Sequence, residues 1–305
     1  MKKIKIANSD LSVSKISLGC MRIAKLSEKD ANHLINTALE EGIDFFDHAD
    51  IYAGGKSEEV FADAIGMNPS IREKFIIQTK CGIRQGYYDF SREHILEAVD
   101  GSLKRLKTDY IDVLLLHRPD TLVEPEEVAE AFTKLQESGK VRYFGVSNQN
   151  PMQIELLSKY LKQKLIINQL QFSITDTRLI DQGLHLNMNI NESIDRDGGI
   201  LDYCRLKDIT IQAWSPFQYG FFEGVFLDNE KFPELNKKID ELAQAKGVKN
   251  TAIAIAWILR HPARIQPIVG TTNAGRLKDI CKASDISLTR PEWYDIYKAA
   301  GNTIP

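Results

Sequence analysis

The stretch IDVLLLHRPDTLVEPEEVAEAFTKLQESGKVRYFGVSN, residues 111–148, decides the fold. Ile111–His117 is almost continuously apolar, as suits a parallel strand buried on both faces. Pro125 fits the first turn of a helix, where a missing N–H costs nothing. Val128, Ala131, Phe132 and Leu135 then recur as one buried stripe, and Gly139 ends the pattern. A second strand, Tyr143–Ser147, follows directly. Strand, amphipathic helix, strand is the unit of a parallel sheet.

The same alternation extends in both directions. Further strands are expected at Ile16–Met21, Ile43–His48, Phe75–Lys80, Leu165–Gln171, Thr210–Trp214 and Ile265–Gly270. Ser27 can cap a helix carrying Ala31, Leu34, Ile35, Ala38 and Leu39, which Gly42 can close. Similar helices fit Ser57–Ile65, Arg92–Leu106, Pro151–Leu161, Ile200–Lys207, Asn250–Leu259 and Asn273–Lys282. Eight strand–helix repeats make an α/β protein, either an open sheet or a closed barrel. An open dinucleotide-binding sheet would show Gly-x-Gly-x-x-Gly after its first strand; Ser17-Leu18-Gly19-Cys20-Met21 has none. No linker rich in Pro, Gly or Ser divides the chain. The reading is a single (β/α)8 TIM barrel domain over residues 1–305, a length that suits one barrel with insertions.

Two segments lie outside the repeat. Residues 3–14 resemble a hairpin around Asn8-Ser9-Asp10, expected to cap the bottom of the barrel. Residues 172–199 read as a long polar connection, expected at the active mouth.

Bulk properties narrow the function. A net charge of −3 provides no broad basic face, so nucleic acid is not an expected partner. Cys20, Cys81, Cys204 and Cys281 form no Cys-x-x-Cys pair, which points to neither a metal site nor a disulfide framework. A reduced, cytoplasmic location is expected. Met1-Lys2-Lys3-Ile4-Lys5 lacks a signal-like apolar core, and no apolar run approaches the roughly 20 residues of a membrane span.

Barrel chemistry sits at the C-terminal ends of the strands. Those ends carry Asp47, His48, Asp50 and Tyr52, then Lys80, then His117, then Ser147 and Asn148, with Gln169 in the sixth strand. A free phenol, with a pKa of about 10, exchanges protons poorly near neutrality. A neighbouring ammonium is expected to lower that value, and a carboxylate would hold the ammonium charged. An imidazole alongside could hydrogen-bond a substrate carbonyl. The set suits protonation of a carbonyl oxygen while hydride reaches the carbon. Spacing alone leaves His48 and Asp50 in competition with Tyr52. It also leaves open Lys80 as a Schiff-base lysine in an aldolase-type barrel.

The ordered motifs go further. Gly42-Ile43-Asp44-Phe45-Phe46-Asp47 through Tyr52, then Lys80, then Leu116-His117-Arg118-Pro119-Asp120, then Gly139–Asn148 strongly resemble the aldo-keto reductase family. The likeness continues through Asn168-Gln169, Ala213-Trp214-Ser215-Pro216 and Ile268-Val269-Gly270, and looks strongest toward a YdhF-like bacterial branch. The resemblance implies an NADP(H)-dependent oxidoreductase acting reversibly on an aldehyde, ketone or alcohol. Tyr52 would be the general acid, Lys80 and Asp47 its support, and His117 the carbonyl-orienting group. Ser147, Asn148 and Gln169 would bind the nicotinamide carboxamide, and Trp214 would stack on the ring. Gly19, Met21, Ser215, Pro216, Phe217, Gly270, Thr271, Thr272, Arg276 and Asp279 complete the implied cofactor shell. Gly270-Thr271-Thr272-Asn273 precedes a helix, whose N-terminus favours phosphate, and Arg276 could pair with a 2′-phosphate. The same family includes channel-associated regulatory subunits, a second reading that the intact Asp47, Tyr52, Lys80 and His117 set disfavours. Tyr87, Tyr88, Phe217, Tyr219, Phe221 and Phe222 fit either a substrate pocket or loop packing. Loops 172–199 and 217–232 would carry specificity, and a monomer is expected.

Overall fold

In the computed structural model, which describes residues 1–304, eight parallel strands close on themselves. They are Ser17–Gly19, Phe45–Asp47, Ile76–Cys81, Ile111–Leu116, Val141–Ser147, Leu165–Gln171, Thr210–Trp214 and Gln266–Val269. Each pairs with its neighbour in chain order, and the last closes on the first through Ile268 opposite Ser17 and Val269 opposite Leu18. Ile111–Leu116 is buried at every residue, which is why its run carries no polar alternation.

The helices begin where their capping groups stand. Ser27 accepts the backbone N–H of Asp30 at the head of Glu28–Glu40. Pro125 opens Pro125–Glu137, whose buried residues include Val128, Ala131, Phe132 and Leu135. Gly139 follows with φ of 71°, a left-handed turn that a side chain would strain. Their inner faces and the outer faces of the strands form one continuous apolar layer.

The N-terminal hairpin pairs Lys3–Lys5 with Ser12–Ser14 and closes the bottom. Its Ile6, Leu11 and Val13 pack on Phe45, Val113, Leu115, Ile166 and Ile167 inside the barrel. The Ser14 backbone N–H donates to Asp44 at 2.7 Å, and that of Ala7 to Thr210 Oγ1 at 2.7 Å.

Several elements exceed the sequence expectation. Helices Pro233–Lys246 and Arg290–Ala299 flank the barrel, and short hairpins rise at Ile83–Tyr88 and Gln218–Val225. Residues 172–199 are not an unstructured loop over the mouth. They hold helix Arg178–Leu184 and bury His185, whose ring meets the backbone oxygens of Asp181 and Thr303. Tyr297 donates to Asp181 at 2.7 Å, so this segment is fastened to the C-terminal helix. Its first residues instead brace the 217–225 loop, with Ser173 donating to the Gln218 backbone oxygen at 2.9 Å.

Candidate active site

A cavity of about 690 Å³ opens at the C-terminal ends of the strands. Gly19, Met21, Asp47, Tyr52, His117, Ser147, Asn148, Gln169, Trp214, Ser215, Pro216, Phe217, Gly270, Thr271 and Arg276 line it. Lys80 lies beneath this surface, fully buried. Thr272 and Asp279 are off the lining, with Asp279 turned toward Lys282 at 3.5 Å. No residue of 172–199 lines the cavity, whereas Phe217, Phe221, Phe222 and Val225 do. Tyr88 joins them, while Tyr219 packs on Phe232, so both readings of the aromatic residues apply, to different rings.

The four strand-end groups meet. Lys80 Nζ is 2.8 Å from the Asp47 carboxylate, 2.7 Å from the His48 backbone oxygen and 3.2 Å from the Tyr52 hydroxyl. The Tyr52 and His117 rings stand edge to face with centroids 5.9 Å apart. The chain leaves Tyr52 through Ala53, Gly54 and Gly55, all with positive φ. Ala53 there is strained, as backbone at functional sites often is. His48 and Asp50, the competitors by spacing, are elsewhere. His48 is buried edge-on to Phe61, and neither residue lines the cavity.

Burial works to lower the Lys80 value, but Asp47 and Tyr52 more than reverse it, so the ammonium stays charged. Burial, then Lys80 and Arg118, push His117 well below the usual imidazole range, so it is neutral. Tyr52 departs from the sequence expectation. Burial raises the phenol above its ordinary value, and the opposing pull of Lys80 does not cancel it. The phenol therefore holds its proton at neutral pH.

Beneath Asp47 lies a layer of glutamines. Gln78 Nε2 donates to Asp47 Oδ1 at 2.6 Å and to Gln212 Oε1 at 2.8 Å. Gln169 Nε2 reaches the same two oxygens at 3.1 and 3.0 Å. Two double donors and two double acceptors thus close a square. Gln212 then donates to Gln266 at 2.9 Å, and Gln266 to the Ser14 backbone oxygen at 2.8 Å. Both ends of this chain, a carboxylate and a carbonyl, can only accept, so every amide between them has one permitted orientation. Gln169 consequently spends its Nε2 on the network, and its Oε1 makes no hydrogen bond among the described residues.

Around the rim, Ser147 donates to the Gln169 backbone oxygen at 3.0 Å and accepts from Asn148 at 2.7 Å. Trp214 Nε1 donates to Asn148 Oδ1 at 3.1 Å. Its indole already lies nearly parallel to Phe222, 22° and 5.8 Å between centroids, so one face is covered. At the far end, Asn273 caps helix Ala274–Cys281 and exposed Arg276 lines the cavity. Arg22 reaches the Gly270 backbone oxygen nearby. Sequence reasoning assigned no role to Arg22, Arg118, Gln78 or Gln212. A polar residue in the middle of a buried strand, as in Ile76-Ile77-Gln78 and Ile211-Gln212, was the available signal for the glutamines.

The aldo/keto reductase family model matches residues 15–300. The chain is 37% identical to the uncharacterized oxidoreductase YcsN of Bacillus subtilis (strain 168), covering 100% of each chain. It is 33% identical to a 6-dehydroglucose reductase of Agrobacterium fabrum over 97% of each, and 32% identical to the oxidoreductase YdhF of Escherichia coli (strain K12) over 100% of each. The fold also matches a solved thermostable aldo-keto reductase, Tm1743, with a TM-score of 0.78 at 24% identity, over 98% of this chain and 100% of that one. Barrel, cavity and full-length likeness agree: this chain belongs to the aldo/keto reductase family of oxidoreductases.

Proposed function

We propose that the chain, acting as a single-domain monomer, is an NADP(H)-dependent carbonyl reductase whose proton donor is Tyr52. The observation that supports it is the Lys80 ammonium held between Asp47 and Tyr52, with neutral His117 against the phenol, in the floor of the cavity. The residues present fit a nicotinamide cofactor. The unused Gln169 Oε1 and the Asn148 amide offer an acceptor and a donor to a carboxamide. The Asn273-capped helix start and Arg276 suit phosphate, and with Arg22 they favour NADP over NAD. Phe222 must leave the face of Trp214 for a ring to stack there.

When bound, the reduced nicotinamide supplies the hydride. His117, neutral, donates a hydrogen bond to the carbonyl oxygen and sets its direction. Tyr52 gives that oxygen its proton as the carbon–oxygen π pair moves onto oxygen. Lys80 then holds the phenolate, and Asp47 holds Lys80. Because Lys80 is kept charged, it is a poor nucleophile, which counts against a Schiff-base aldolase.

The test is purified protein with NADPH and a panel of aldehydes, sugar aldehydes included on account of the 6-dehydroglucose reductase relatives. Tyr52→Phe should lose about 10²–10⁴-fold in kcat, the usual contribution of a positioned acid. Its NADPH affinity, read by fluorescence titration, should stay within a few fold of wild type. Full turnover in Tyr52→Phe would overturn the mechanism.

A further inference from the structure

Arg118 stands in the cavity wall without a partner. It follows His117 directly and is half-buried. Among the described residues its guanidinium forms no ion pair and no side-chain hydrogen bond. The guanidinium carbon is 5.6 Å from the centroid of Trp214 and 5.9 Å from that of Phe221, and its five N–H donors have no acceptor among the described residues. Both distances are at the outer reach of a cation–π contact.

The carboxylates of the neighbouring loops are committed elsewhere. Asp120 accepts the backbone N–H of Phe90 at 2.9 Å through one oxygen and that of Leu122 at 2.9 Å through the other. Asp89 accepts from Ser91 and Arg84. Asp47 is saturated by Lys80, Gln78 and Gln169. The loops around Arg118 thus use their acids to hold themselves together and leave the arginine free. The cavity that Arg118 lines also presents the apolar surfaces of Ile51, Ile83, Tyr88 and Phe221. An unpaired guanidinium among such surfaces recognises an anion strongly, because little water competes for it and its planar fork matches a carboxylate.

We propose that Arg118 is the carboxylate-recognising residue of this cavity, and that the substrate is an aldehyde or ketone bearing a carboxylate on an apolar body. The inference rests on the reductase reading given above and adds the substrate class. Burial also holds the Arg118 guanidinium below its ordinary value, with Tyr88 and Tyr52 opposing.

The experiment compares 4-carboxybenzaldehyde with 4-carbamoylbenzaldehyde, equal in shape and different in charge, as substrates with NADPH. The wild-type protein is expected to prefer the carboxylate by at least about 10-fold in kcat/KM, and Arg118→Gln to bring the ratio near unity. Arg118→Lys, which keeps charge without the fork, should retain part of the preference and so separates charge recognition from ring stacking. In parallel, calorimetry measures the non-reacting dianion terephthalate, with and without NADP⁺, on wild type and both variants. Turnover of both aldehydes with no preference, or a preference unchanged in Arg118→Gln, overturns the carboxylate site and leaves the reductase reading intact. If wild type reduces neither aldehyde, the reductase reading is in question and calorimetry decides this one. Terephthalate binding weakened about 10-fold or more in Arg118→Gln upholds the site, and absent or equal binding overturns it. If Arg118→Gln melts well below wild type, the same ratio and the same titration are read in Arg118→Met, whose apolar stem preserves the packing on the rings.

Discussion

Asp50 is two residues from the phenol, and its carboxyl is pushed toward neutrality. Burial first, then the Glu58 carboxylate, push it up to about 7, against the Ile51 amide, Arg105 and Lys80. Its Oδ1 is buried without a partner. A carboxyl raised on folding favours the folded state while protonated. That contribution is complete below the unfolded value near 4 and disappears as pH climbs through about 7. Asp50→Asn should therefore be more stable than wild type above pH 7, by on the order of 1–3 kcal/mol, and lose the advantage toward pH 4. Denaturant titrations across pH 4–8 measure the difference; a gap constant with pH would refute the assignment. Residue identities at the site were legible in the sequence because barrel strands end where chemistry sits. The direction of the Tyr52 shift was not, because it depends on how deeply Lys80 and Tyr52 are buried. Nor was the isolation of Arg118, because only the folded loops show Asp120 taken by the amides of Phe90 and Leu122.

At the scale of elements, the strands were readable because parallel strands covered on both faces have little room for polar residues. Helix Pro233–Lys246 was less so: it buries only Leu235, Ile239 and Ala243, a stripe one residue wide. Segment 172–199 hid helix Arg178–Leu184, whose order comes from distant partners, His185 with Thr303 and Asp181 with Tyr297. The seventh strand carries a sharper prediction. Gln212→Leu strips an acceptor from Gln78 and Gln169 and a donor from Gln266. Left unpaired in a closed interior, those groups should cost about 1–3 kcal/mol, read by urea denaturation. No loss would mean that the amides find other partners.

For the whole molecule, the hairpin is the piece whose removal tests the architecture. Deleting residues 1–14 uncovers Phe45, Val113, Leu115, Ile166 and Ile167 at the bottom of the barrel. That exposure should cost on the order of 5 kcal/mol, comparable with the whole stability of many proteins. The truncated chain is expected to lose cooperative melting by circular dichroism near physiological temperature, and an unshifted melt would show that the barrel closes without its plug.

The glutamine layer bears on how such a barrel can change over time. Each of Gln78, Gln169, Gln212 and Gln266 is aligned by the next, from the Ser14 carbonyl up to Asp47. A lone replacement strands a neighbour's amide where water does not reach. Drift at these positions is thus expected to be joint: the four amides that align the Asp47 carboxylate are kept together or exchanged as a group for an apolar filling.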